Sequence, residues 1–150
     1  MLRIRPFSLS DLDSILQIES QSFPKSPYDW TTFLNLHTLY PETFLVYVNT
    51  NQGQKEEEIW GYIIFTQEGH IISIAVHPHY RRQGIGAQLL QRAMKTPRLK
   101  RVWAEVRRSN QGAQAFYAKM GFQITGLVPN YYGNEDALII QWTPIIHESY

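Results

Sequence analysis

Three features of this 150-residue chain could carry chemistry. They are a basic, glycine-bearing turn at Arg81-Arg82-Gln83-Gly84-Ile85-Gly86-Ala87, a lone carboxylate, Glu105, and a tyrosine, Tyr117, on an apolar helical face. The turn follows a strand-like run and opens a helix-like one. Two glycines let a backbone approach a ligand closely. The N–H groups at a helix start have no intrahelical partners, and the helix dipole favours an anion there. Arg81 and Arg82 add charge, so the segment reads as a cradle for a pyrophosphate. Neither G-x-G-x-x-G nor G-K-[ST] is present, which excludes the dinucleotide fingerprint and the P-loop. A glycine-eased turn into a helix is the plainer reading of the same residues.

In the run 101–107 (RVWAEVR), alternation places Val102, Ala104 and Val106 on one face and Trp103, Glu105 and Arg107 on the other. A carboxylate in the middle of an apolar strand is expensive to bury alone, so Glu105 needs a partner, a water path or protonation. Tyr117 shares a face with Ala113, Phe116 and Met120 at helical spacing. That pattern equally describes a core tyrosine with a satisfied hydroxyl. His77 and His79 flank Pro78, but no third ligand is near, so no metal site is expected. His37, His70 and His147 are scattered and read as structural or surface residues. Phe23, Tyr28, Trp30, Tyr131 and Tyr132 could line an acceptor groove or cover the edge of the core.

Several elements must position these residues. Leu2–Arg5 reads as a strand. A helix capped by Ser10 follows, with Leu12, Ile15, Leu16 and Ile18 inward. A second helix begins near Asp29 and uses Trp30, Phe33, Leu34 and Leu36. Strands at Thr43–Val48, Ile59–Thr66 and His70–Val76 form a meander, the first two joined by a polar connection, Asn49–Glu58. The turn then opens a helix over Gly84–Lys95. Asn110 is a good N-cap and Gly121 a good C′ residue for a helix over Gln111–Met120. Strands at Phe122–Thr125 and Ala137–Trp142 close the chain. The order β-α-α-β-β-β-α-β-α-β-β predicts an α/β protein with a mixed (α+β) sheet and helices on both faces, in one domain over residues 1–150.

Composition narrows the chemistry. With 43% apolar residues and a net charge of +1, the chain is globular rather than disordered. It has no cysteine, which excludes disulfides, thiolate metal sites and a covalent acyl-cysteine route. It has no run of 18 apolar residues and no signal-peptide pattern, so a cytoplasmic location with no membrane association is expected. Residues 81–108 hold nine Lys or Arg and one acid, a net charge of +8, against −7 for the remainder. This basic stretch reads as the frame of a polyanion site, phosphates in preference to nucleic acid.

The segment Ile71–Gly86, with Arg81, Gly84 and Gly86 filling [QR]-x-x-G-x-[GA], resembles the acetyl-coenzyme A motif of the GNAT acetyltransferase superfamily. The further runs Glu105-Val106-Arg107-Arg108-Ser109-Asn110, Phe116-Tyr117 to Gly121-Phe122, and Tyr131-Tyr132 to Glu135-Asp136-Ala137 resemble its RimI-like protein Nα-acetyltransferase branch. The resemblance spans nearly the whole chain and implies a GNAT fold. It also implies direct transfer from acetyl-coenzyme A (acetyl-CoA) to the α-amine of a protein N-terminus, possible targets including a ribosomal protein, by a monomer or weak homodimer. It gives Glu105 the role of proton acceptor and Tyr117 that of proton donor to the departing sulfur. It gives cofactor contacts to Ile74, Ala75 and Val76 by backbone, to Arg81 through Ala87 at the cradle, and to Asn110. No direct nucleic-acid binding is expected. Two alternatives stand beside it. One is acetylation of a polyamine or aminoglycoside, with Glu56–Glu58, Glu135 and Asp136 supplying an acidic pocket. The other is a non-catalytic binder of acyl-CoA or RNA.

Overall fold

A computed structural model describes residues 1–51, 53 and 56–144. His147 and part of the polar connection Asn49–Glu58 lie outside the described residues. The elements in chain order are β1 (Leu2–Pro6), α1 (Leu12–Ser22), α2 (Trp30–Leu39), β2 (Phe44–Thr50), β3 (Glu57–Phe65), β4 (Ile71–Val76), α3 (Ile85–Met94), β5 (Val102–Arg107), α4 (Gln111–Lys119), β6 (Gln123–Val128) and β7 (Ala137–Trp142). This is the order read from the sequence.

Two cores sandwich the strands. In β2 five consecutive residues are buried, the mark of a strand covered on both faces. Leu45 and Tyr47 join one core, with Ile85, Leu89 and Leu90 of α3, Tyr117 of α4, and Val102, Ala104 and Val106 of β5. Phe44, Val46 and Val48 join the other, with Ile15 and Ile18 of α1, Phe33 of α2, and Tyr62 and Ile64 of β3. Period-two alternation in the strands therefore places one helix pair on each face.

The sheet is mixed but not continuous. Strands β1-β2-β3-β4 form one antiparallel sheet and β5-β7-β6 another. They join at a single parallel bridge, His70 to Trp103. The junction is tight. The Trp103 N–H donates to the Gly69 carbonyl at 3.0 Å. Gly69 has φ +105°, and a Cβ there would lie 2.0 Å from the Arg101 carbonyl oxygen, so only glycine fits. Past this pin the strands part.

Two local expectations change. α1 is entered through a short 3-10 turn over Leu9–Asp11, capped by Ser8 instead of Ser10. Asp11 decides this: its carboxylate accepts the Ser8 N–H at 2.9 Å and two Arg5 N–H bonds at 2.8 Å, which fixes the chain two residues earlier. Trp30, placed on the buried face of α2, is 57% exposed. It is the first residue of the helix, ahead of the turn that reaches the core at Phe33. Asp29 caps that helix by accepting the Thr32 N–H at 2.9 Å. Among the described residues no helix is long and apolar enough to cross a membrane.

Asn110 accepts the Ala113 N–H at 3.0 Å, as an N-cap should. Asn110→Ala is expected to lower unfolding stability by about 1 kcal/mol in urea titration, the usual cost of losing such a cap.

Candidate active site

Where β4 and β5 part, a cleft opens between them. Its α4 side is lined by Asn110, Ala113 and Tyr117, and its α1 side by Glu19, Phe23, Ser26, Tyr28 and Tyr132, with Ile74 of β4 and Glu105 and Arg107 of β5 between. Among the described residues the β4 edge facing the cleft has no neighbouring strand beyond the bridge. Its backbone N–H and C=O groups can therefore pair with an extended ligand.

The α3 turn follows β4 in the chain and contributes no residue to the cleft lining. Gly84 is the N-cap residue of α3 with φ +78°, and the helix has no side-chain cap. The first-turn amides thus keep the anion-binding capacity expected of a helix start. A Cβ on Gly84 would meet nothing within 4 Å, so its glycine serves the left-handed turn. Gly86 serves packing instead, since a Cβ there would lie 3.3 Å from the Phe116 ring of α4. Arg82 has φ +65° and is exposed, as is Gln83. Ile85 and Ala75 send their side chains into the cores, leaving only backbone for a ligand. Arg81 is used internally: Nε donates to the Val76 carbonyl at 3.2 Å and a terminal nitrogen to Ser22 Oγ at 3.4 Å. It braces the end of β4 against the end of α1.

Glu105 has a partner that the sequence did not reveal. His70 Nε2–H donates to Glu105 Oε2 at 2.7 Å, with the Glu105 side chain 17% exposed and that of His70 30%. The His70 ring stacks on Trp103 at 5.0 Å, and the Arg101 guanidinium covers Trp103 at 4.0 Å. The imidazole is thus held in one orientation between the carboxylate and solvent. His70, read as structural or surface, bonds Glu105 from outside the cleft lining. Its pairing depends on the β4–β5 bridge, which joins residues 33 apart in sequence.

Tyr117 is buried, yet its hydroxyl has no hydrogen-bond partner among the described residues and its side chain lines the cleft. Burial pushes its pKa well up, and the charge of Glu105 adds to the shift. The phenol keeps its proton across the neutral range. Tyr28 and Tyr132 line the opposite side, whereas Trp30 and Tyr131 do not line the cleft. Glu19 is a second buried carboxylate on that wall.

The basic stretch does not frame the cleft as the sequence suggested. Arg107 and Arg108 are paired with Glu135 and Asp136. Arg92, Lys95, Arg98 and Lys100 lie in and after the C-terminal half of α3, away from its cradle end. Arg107 instead ties together both loops over the α1 side. It donates to Glu135 at 2.9 Å, Asn134 at 3.2 Å and Ser26 Oγ at 2.8 Å, and its guanidinium lies 4.1 Å from the centre of the Tyr132 ring. The acids proposed for a polycation pocket are not gathered at the cleft. Glu135 is bound by Arg107, Ser109 and Lys25, and Glu56–Glu58 line a separate hollow with His77 and His79.

A parted sheet beside an uncapped helix start fits an acyltransferase of the GNAT class. Residues 12–122 match the Acetyltransferase (GNAT) family, and the chain belongs to it as an acetyl-CoA-dependent N-acetyltransferase. It is 35% identical, over 95% of each chain, to a putative [ribosomal protein bS18]-alanine N-acetyltransferase of Bacillus subtilis. It is 32% identical to an N-alpha-acetyltransferase of Sulfurisphaera tokodaii, over 92% of this chain and 90% of the relative. Ard1 from Thermoplasma volcanium superposes with a TM-score of 0.80 at 30% identity, covering 97% of this chain and 99% of the other.

The Arg107 and Ser109 bonds hold the Glu135 pKa down to about 2. A lowered carboxylate pKa means that its contribution is present above the ordinary value and lost as pH falls through the lowered one. The loop clamp should therefore persist at pH 4. Arg107→Ala should release it at neutral pH, seen as faster amide hydrogen exchange over residues 129–136 with the rest of the chain unchanged.

Proposed function

We propose that this chain transfers the acetyl group of acetyl-CoA directly to the α-amine of a protein N-terminus. The observation that carries this is one cleft with a histidine-bound carboxylate, Glu105, and an unpaired, protonated phenol, Tyr117, opening into it. The relatives named as Nα-acetyltransferases along nearly their whole length support the choice of acceptor.

In this reading the turn into α3, Arg82 through Ala87, holds the pyrophosphate. The backbone of Ile74, Ala75 and Val76 pairs with the amide-rich arm of the coenzyme, and Asn110 stands beside it. The thioester carbonyl then lies between the two proton-handling groups. Glu105 takes a proton from the α-ammonium, and His70 fixes the carboxylate and links it to solvent. The freed amine attacks the thioester carbon, the new C–N bond forms, and the C–S bond breaks. Tyr117 gives its proton to the departing sulfur and later regains one from water. The raised pKa of Tyr117 keeps that proton available, and holding both reactants in one cleft supplies much of the acceleration. With no cysteine in the chain, no acyl-cysteine intermediate arises. None of these steps calls for a metal.

The test is thiol release from acetyl-CoA with either short peptides bearing free N-termini or spermidine. Peptide turnover without spermidine turnover is expected, and the reverse pattern overturns the reading. Coenzyme binding with no turnover of any amine would point to a non-catalytic binder. Glu105→Gln and Tyr117→Phe should each cut kcat by at least about tenfold with coenzyme affinity little changed. Gly84→Glu should weaken coenzyme binding, measured by calorimetry, because it sets a carboxylate at the anion site and strains a left-handed residue.

A further inference from the structure

Glu19 lies three residues before the end of α1 with 2% of its surface exposed. Its Oε1 accepts the Tyr28 N–H at 3.1 Å, and its Oε2 accepts the Tyr62 hydroxyl. Because Tyr62 spends its proton there, Ser73 must donate to the Tyr62 oxygen, at 2.9 Å. Among the described residues no Lys, Arg or His forms an ion pair with Glu19. A carboxylate taken out of water normally carries a counter-cation, because neutral donors soften the cost without cancelling the charge. Burial accordingly pushes its pKa up, against the pull of the Tyr62 and Tyr28 bonds.

The position of this charge suggests its use. Glu19 lines the same cleft as Glu105, on the α1 wall with Phe23, Tyr28 and Tyr132. The fields of both carboxylates reach the Tyr28 phenol. The acceptor end of the cleft thus combines two acids with aromatic faces, a chemistry that attracts an ammonium. Only one of the acids, Glu105, is needed to move a proton.

We propose that Glu19 is a positioning residue: its carboxylate draws the acceptor's α-ammonium into the cleft and fixes Tyr28 beside it, leaving deprotonation to Glu105. The missing counter-cation of Glu19 is then the substrate. This inference rests on the peptide-acetylating function proposed above.

Glu19→Gln separates charge from shape, since the amide oxygen still accepts the Tyr28 N–H. Steady-state kinetics of the full chain should show the peptide KM raised about tenfold, kcat within about twofold and the acetyl-CoA KM unchanged. In parallel, calorimetry on the coenzyme A-saturated protein should show the wild type binding a free-N-terminus peptide about tenfold more tightly than its desamino analogue. Glu19→Gln should abolish that preference. Ser73→Ala leaves both Glu19 hydrogen bonds in place and should retain it. An unchanged peptide KM in Glu19→Gln, no ammonium preference in the wild type, or loss of the preference in Ser73→Ala overturns the proposal. Should the wild type turn over no peptide at all, the function proposal fails and takes this one with it. Normal peptide turnover with an indifferent Glu19→Gln sinks this one alone.

Discussion

The arrangement depends on a sheet that is pinned at one point and open beyond it. Gly69 brings its backbone so close to Arg101 that no side chain fits, and the bridge from His70 to Trp103 follows at once. A sheet gains by pairing every strand edge, since buried backbone groups left unpaired are costly. Here β4 and β5 forgo that pairing for most of their length. The gap is held by the separate anchoring of each strand, β4 to β3 and β5 to β7. The same pin that opens the gap sets His70 against Glu105, so the geometry of the sheet and the orientation of the carboxylate have one origin.

Charge is arranged to suit this opening. Most of the cations that cluster in the sequence are spent on holding loops or lie at the far end of α3. The proposed cradle would therefore rely on backbone amides and an exposed Arg82 more than on a ring of side-chain charge. Arg81, the basic residue at the motif's first position, braces β4 against α1. On the acceptor wall the sign is reversed, with Glu19 and Glu105 facing the cleft and the loop acids neutralised by Arg107, Arg108 and Lys25. In the proposed reading, the turn into α3 offers donors for phosphates and the cleft offers an acid-bearing wall for an amine.

Much of this was legible along the chain. Element order, a helix start near Asp29, the cap at Asn110 and the burial of Tyr117 all follow from local periodicity and residue type. What was hidden depends on contacts between distant segments. His70 looks like an ordinary strand-end histidine until β5 is laid beside it. Glu19 sits at the right spacing for a helix face and looks like any surface acid, because nothing nearby in sequence announces Tyr62 or Ser73. Ser10 and Ser8 are equally good caps by type, and Asp11, held by Arg5 from β1, decides between them. The basic stretch misled for the same reason: proximity in sequence was taken for proximity in space.

An unpaired strand edge is ordinarily a hazard, because it invites the edges of other molecules to add to it and begin an aggregate. The open edge of β4 escapes this by facing inward across the cleft toward β5 instead of outward to solvent. A neighbouring sheet cannot bring its own edge alongside, whereas a single slender chain can enter. The feature proposed to make room for a coenzyme also filters what can pair with the sheet, so the open edge carries neither lysine nor proline, and its pairing with β3 slips at Ile72.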